Sequence, residues 1–377
     1  NVLFKEEGGV ISRSCRVLVG SEDAAEPLSE HVEALFNRLE KSNRDVMTFA
    51  HVGGRYADLA RHREGLETAV EVHSAWGTFP WMLEDAFRYG YRVAIVGNSD
   101  GHKCRPGASH PGASTFGSYG GLTCVLAKKL DRDSVWKAYQ SRRVYATTGA
   151  RIALDVRTDS NELMGGVVRV GRDALPTIHV RVHGTAPIER VELLNAMTVL
   201  KTVRTYTAAD MSNRVKILWQ GAQVRGRGRQ VNWDGGLRIQ GNRIRRFSTV
   251  NFHNLERTCS QTGHNRLSWQ SLTTGGVAGV IVELEKPAAG TLEVETTQKR
   301  FRLPIKLLGI RGRSYDLGGV GKRISAYRLP AASGQRDLSF SVTPSWKQMR
   351  PGDNPLLVHV VQEDGHMAWS SPIYCVR

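Results

Sequence analysis

The sequence predicts two classes of structure in one chain: an α/β unit over residues 1–150 and an all-β, sandwich-like unit over residues 151–377. Three observations predict this. Up to Gly149, short apolar runs alternate with amphipathic helical patterns, as in a parallel sheet with crossover helices. Beyond Gly149 the helical periodicity fades, and short alternating runs separated by turn residues replace it. The charge divides at the same place. Residues 1–150 carry 19 Lys/Arg against 18 Asp/Glu, whereas residues 151–377 carry 33 against 18, so the excess of +15 belongs to the second unit.

In the first unit, DVMTFA (45–50), TAVEV (68–72), YRVAIV (91–96) and LTCVLA (122–127) read as strands, being short and rich in β-branched residues. Leu28, Val32, Leu35, Phe36 and Leu39 form one apolar helix face. A second helix opens at Pro80 and closes at Gly90. A third is capped by Asp131 and runs through Trp136 and Tyr139 to Arg143. Ligands of such a parallel sheet sit at the C-terminal ends of its strands. In the second unit, TIHVRVHG (177–184), IERVELLN (188–195), GVIVELE (279–285), GTLEVETT (290–297), LSFSVTP (338–344) and LLVHVVQE (356–363) alternate as antiparallel strands do. Residues 205–275 read as a basic, irregular insertion.

A hydrophobic content of 40% with 23% charged residues fits a globular protein with a large core. No apolar run approaches the roughly 20 residues of a membrane span. The five cysteines (15, 104, 124, 259 and 375) are scattered and form no CxxC. They read as free thiols, which argues against a disulfide framework and a cysteine zinc site and leans towards a reducing, cytoplasmic compartment.

The chemistry gathers at the strand ends. DVMTFA ends in His51, the second strand carries Glu71 and His73, and the third leads into GNSDGHKCR (97–105) with Asp100 and His102. Imidazoles and carboxylates that converge in this way suit Zn²⁺, Mn²⁺ or Fe²⁺. His51, Glu71, His73, Asp100 and His102 are therefore the candidate metal residues, Glu71 either as a ligand or as a group that orients one. Arg55, Lys103 and Arg105 lie just past ligand positions and are candidates for binding a substrate phosphate. Thr147 and Thr148 read either as substrate contacts or as strand-to-turn packing, and His62 and His110 as solvated loop residues.

The stretches AHVGGR (50–55), VEVHSAWGTFPWMLEDAFRYGYRV (70–93), GNSDGHKCRPG (97–107) and RRVYATTGARI (142–152), with the later GGV (165–167) and AWSSPIY (368–374), resemble the PHP superfamily, the polymerase and histidinol phosphatase metallohydrolases. The similarity is to a branch with an appended β domain; it is continuous over about residues 1–170 and sparse afterwards. It implies a (β/α)₇ barrel, a distorted relative of the TIM barrel, with two or three metals at its mouth. Asp100 and His102 match the family's last ligand motif, and His51 matches an earlier ligand-bearing strand end. Glu71 matches a glutamate typical of the branch, and His73 a position that varies. The His-x-His strand end that opens such barrels has no counterpart from Asn1 onward. The resemblance thus implies four or five barrel strands here, with the first ligands on a preceding segment or a separate chain, or a metal-free relative.

The expected activity is metal-dependent hydrolysis of a phosphoester or related ester by metal-activated water, with Asp100 and His102 central to catalysis and a small anionic or ester substrate. A second expectation is a basic binding module. Residues 201–250 hold 11 Lys/Arg and two Asp/Glu with Tyr206, Trp219, Trp233 and Phe247 interleaved, which suits a nucleic acid or acidic glycan. A third is a metal-free homo-oligomer that covers the exposed core of a partial barrel.

Overall fold

A computed structural model of the chain describes residues 1–10, 12, 31–52, 56–101, 118–171, 174–226, 228–332 and 334–377. The first half opens with β1 (Val2–Phe4), α1 (Val32–Lys41), β2 (Val46–Ala50), β3 (Glu67–Ser74) and β4 (Gly77–Thr78). It continues with α2 (Pro80–Arg88), β5 (Ala94–Gly97), β6 (Leu122–Val125), α3 (Arg132–Gln140) and β7 (Val144–Thr147). The local signals read from the sequence act as expected. Pro80 occupies the first turn of α2, where its missing N–H costs nothing. Gly90 takes a φ of +78° just past that helix. The Asp131 carboxylate accepts from the Ser134 N–H at 2.7 Å and caps α3.

β2, β3 and β5 pair in parallel, and β1 adds antiparallel to β2. The expected (β/α)₇ barrel is not formed. The described structure is mostly strand, arranged in open sheets, with three helices. The parallel pairing stops at β5, whose outer N–H groups meet side chains rather than a further parallel strand. The Val93 N–H donates to the Tyr374 hydroxyl at 2.7 Å, the Ile95 N–H to the Ser371 hydroxyl at 2.9 Å, and the Gly97 N–H to the Thr123 hydroxyl at 3.1 Å. The sheet edge is thus satisfied without closure. β6 and β7 instead pair antiparallel with each other, and β7 pairs with Met367–Ser370 from the far end of the chain.

β6 and β7 thereby enter an eight-stranded sheet with Ile188–Asn195, Thr198–Val203, Asp353–Gln362 and Met367–Ser370 among its members. One face of that sheet packs on a three-stranded sheet (Ala153–Thr158, Ile178–His183, Asp337–Val342) through Val156, Val180, Val191, Val358 and Ile373. On its other face Leu357, Val361, Met367 and Trp369 pack against Val70, Val72, Ile95 and the α2 residues Met82, Leu83 and Ala86. The apolar surface that a partial barrel would expose is covered from within the chain.

Residues 205–275, expected to be irregular, are largely strands. Met211–Ala222, Ile244–Val250, Val277–Leu284, Val320–Pro330 and Arg313–Asp316 form an inner sheet. Gly235–Gln240, Cys259–Gly263, Arg266–Trp269, Thr291–Thr296 and Arg300–Pro304 form an outer one. Trp219, Trp233, Trp269, Ile217, Leu237 and Val294 fill the space between them. Charged outward positions hid this alternation, because one face of an antiparallel sandwich is solvated. Among the described residues no helix is long and apolar enough to cross a membrane.

Candidate functional site

Because β2, β3 and β5 run parallel, their C-terminal ends share one side of the sheet. His51 directly follows β2. Its Nδ1 lies 2.6 Å from Oε1 of Glu71, on β3, and its Nε2 lies 3.5 Å from Oδ2 of Asp100, beyond β5. Glu71 is completely buried, while His51 and Asp100 keep about a quarter of their side-chain surface, 24% and 22%. Asn98 donates from Nδ2 to Oε2 of Glu71 at 2.6 Å, and Asn1 Nδ2 stands 3.5 Å from the same oxygen. Asp100 has a φ of +44°, a left-handed backbone that aspartate and asparagine tolerate better than other non-glycine residues. These side chains line a cavity of about 360 Å³ that Phe49 and Tyr139 wall on the apolar side.

An ionised carboxylate only accepts, so Glu71 holds the proton of a neutral His51 on Nδ1 and leaves the Nε2 lone pair turned towards Asp100. Two donors bound at about 2.0–2.2 Å to one tetrahedral ion lie roughly 3.3–3.6 Å apart. The Nε2 to Oδ2 separation of 3.5 Å falls in that interval. His51 and Asp100 therefore fit as ligands of a divalent cation, and Glu71 fits as the acceptor that orients the imidazole. Among the described residues no group of three or more His, Cys, Asp or Glu side chains is arranged to hold a metal ion. His102, expected beside Asp100, lies outside the described residues, as do His110 and the expected substrate-binding residues Arg55, Lys103 and Arg105.

His73 is not brought to this site. The register shifts between Glu71 and His73 where β3 pairs with β5. His73 is buried, with Nδ1 2.8 Å from the Thr78 hydroxyl and Nε2 2.6 Å from the Tyr119 carbonyl. A carbonyl only accepts, so Nε2 carries the proton and Nδ1 accepts from Thr78. Burial pushes the His73 imidazole down to about 4, with His366 and His253 adding to the effect and the bond to Tyr119 opposing it. Both ring nitrogens are thus occupied within the fold. His73, Tyr119, His253 and His366 surround a separate polar cavity of about 20 Å³.

Other expectations resolve similarly. His62 is not solvated: Nδ1 lies 2.7 Å from Glu67 and its ring stacks on Tyr91 at 4.1 Å. Thr148 accepts from the Met367 N–H at 2.9 Å and Thr147 from the Gly149 N–H at 3.2 Å, so both serve the strand-to-turn junction. Gly149 is required there. Its φ is +96°, and a Cβ would stand 2.5 Å from the Gly120 carbonyl oxygen. In the basic stretch 201–250, Trp219 and Trp233 are fully buried and offer no stacking face. Arg214 pairs with Glu363, Lys216 with Glu189 and Arg225 with Asp85, so part of that charge is spent inside the fold. Asn98, like Asn1, is a site residue that sequence reading passed over. Its signal was its place two residues before Asp100 at the end of a buried strand.

The comparisons with known proteins bear on the middle of this region. The chain is similar over residues 90–161 to a family described as protein of unknown function (DUF3604). That stretch, less than half of the chain, includes Asn98, Asp100 and the Thr147–Gly149 turn. No curated protein and no solved structure matches.

Proposed function

We propose that the ends of β2, β3 and β5 bind a divalent cation and that the protein hydrolyses a phosphoester or a related ester. The observation that carries this reading is the His51 imidazole held between two carboxylates, Nδ1 on buried Glu71 and Nε2 at ligand spacing from Asp100. When bound, a Zn²⁺, Mn²⁺ or Fe²⁺ ion supplies Lewis acidity and an acidified water. The chain's own groups do the rest. His51 Nε2 and Asp100 Oδ2 would hold the ion. Glu71 fixes the His51 tautomer and ring plane, and Asn98 fixes Glu71 by donating to its second oxygen. The cavity beside them gives an ester room to approach.

The test is metal titration of the full chain by calorimetry, with hydrolysis of p-nitrophenyl phosphate and p-nitrophenyl acetate measured in parallel. Asp100→Asn suits the left-handed backbone while removing the charge; with His51→Gln it should abolish metal uptake and hydrolysis together. Glu71→Gln should keep the site but weaken metal affinity by about 10–100-fold. Metal uptake and turnover that are unchanged in all three variants would refute the assignment, as would a wild-type chain that takes up neither Zn²⁺ nor Mn²⁺.

A further inference from the structure

We propose that one edge of the distal sandwich, together with the outer sheet face that runs into it, is a binding surface for an acidic polysaccharide. Residues 299–323 carry eight Lys/Arg and one Asp/Glu, a concentrated charge excess. The fold places three of these residues, Arg300, Arg302 and Arg313, on two edge strands. Arg300–Pro304 ends the outer sheet and Arg313–Asp316 ends the inner one. The Phe301 and Tyr315 rings, 4.9 Å apart, hold the two edges together. Arg300, Arg302, Arg311, Arg313 and Arg323 are all exposed.

The outer face extends this edge. Across its strands Arg266 stands opposite Arg238, Arg238 opposite Glu293, and Glu293 opposite Arg302. The cross-strand row thus holds three guanidinium groups and one carboxylate, and that carboxylate pairs with Arg302. Like charges directly opposite each other on a sheet are destabilising, and an acidic group bound between Arg238 and Arg266 relieves that repulsion. The ion pairs present, Arg302–Glu293 at 3.2 Å and Arg300–Glu295 at 3.8 Å, are solvent-exposed on the arginine side and weak. They leave the positive excess in place.

The kind of polymer follows from what this surface lacks in ring faces and offers in donors. Surfaces that bind single-stranded nucleic acid stack bases on aromatic rings. Here Trp269 and Phe301 point into the core, and Tyr315 packs between Phe301 and the Lys299 ammonium, which lies 5.2 Å from its ring centre. Guanidinium groups on alternate strand residues, about 6.7 Å apart, meet regularly spaced carboxylates or sulfates by charge-assisted hydrogen bonds. The surface does not involve His51, Glu71 or Asp100 and stands independently of the metal site.

The test is direct binding of the full chain to polygalacturonate and to a heparin oligosaccharide, with a 20-nucleotide oligothymidylate and a 20-base-pair duplex as competing polyanions. Both polysaccharides should bind with affinity that falls steeply as salt rises. Arg300→Ser, Arg302→Ser and Arg313→Ser together should weaken binding at least tenfold. Arg313→Gln alone, which alters one exposed side chain, should weaken it two- to threefold. Arg243→Ser, Arg245→Ser and Arg246→Ser, clustered at the opposite edge of the inner sheet, should change it less than twofold. Equal losses from the two triple variants would overturn the proposal. So would tighter binding of the oligothymidylate or the duplex than of either polysaccharide, or no salt-dependent binding at all.

Discussion

At the residue scale, histidines on neighbouring strands have opposite fates because of the groups that face them. His51 meets a buried carboxylate on one nitrogen and turns the other towards Asp100, 3.5 Å away. His73 meets a hydroxyl and a carbonyl and is held neutral by burial. The consequence of His73 is a pH dependence of stability. Its folded pKa, about 4, lies below the ordinary value of 6.5, so the unfolded chain binds the extra proton first. Stability is fully present above pH 6.5 and falls as pH drops towards 4, by about 3 kcal/mol in all. Urea unfolding at pH 7.0 and pH 4.5 should show that fall in the wild type. His73→Gln, which removes the titrating group, should reduce the pH slope even if it lowers stability overall; an unchanged slope would place the titration elsewhere.

At the element scale, the strand–helix alternation was legible because it rests on local rules. β-branched runs, Pro80, Gly90 and the Asp131 cap each act within a few residues. The destination of the edge of β5 was not legible, since it depends on hydroxyls more than 270 residues away in sequence, those of Ser371 and Tyr374. A resemblance that covers local motifs cannot reveal such a long-range replacement of a strand by side chains. The candidate site was legible to the same extent. The order of His51, Glu71 and Asp100 along parallel strands predicted their convergence, whereas the register shift after Glu71 removed His73 from it. The edge of β5 gives its own prediction. The Ser371 hydroxyl accepts from Ile95 and donates to the Val144 carbonyl at 2.6 Å. Ser371→Ala strands the buried Ile95 N–H, while the Val144 carbonyl keeps the Ser371 backbone N–H at 3.3 Å, and should cost about 1–3 kcal/mol, read as a lower urea midpoint at unchanged slope. A loss below about 0.5 kcal/mol would mean that β5 finds another partner.

At the scale of the whole molecule, a buried charge cluster joins the eight-stranded sheet, the central sheet, to the sandwich formed by the inner and outer sheets. Lys216, on the inner sheet, donates to Glu189, on the central sheet, at 2.7 Å, and the Tyr327 hydroxyl lies 3.1 Å from both Glu189 oxygens. Burial alone would raise the Glu189 carboxyl, but Lys216 and Arg190 outweigh it and hold the group below the usual carboxylate range. Lys216→Met leaves that carboxylate buried without its main partner and should cost about 3–5 kcal/mol, while Lys216→Met with Glu189→Leu should recover much of the loss. Equal losses in the single and double variants would show that the cluster does not couple the two bodies. The aromatic residues between 201 and 250 illustrate the same scale. Trp219 and Trp233 resembled a stacking surface in sequence, and only the pairing of two distant sheets turns them inward.

The central claim is that His51, oriented by Glu71, and Asp100 hold a divalent cation. Calorimetric titration of the full chain with Zn²⁺ and Mn²⁺ tests it most directly. The account predicts saturable uptake in the wild type, uptake weakened about 10–100-fold in Glu71→Gln, and none in Asp100→Asn. Uptake of equal affinity in the wild type and Asp100→Asn, or no uptake by the wild type, would contradict it.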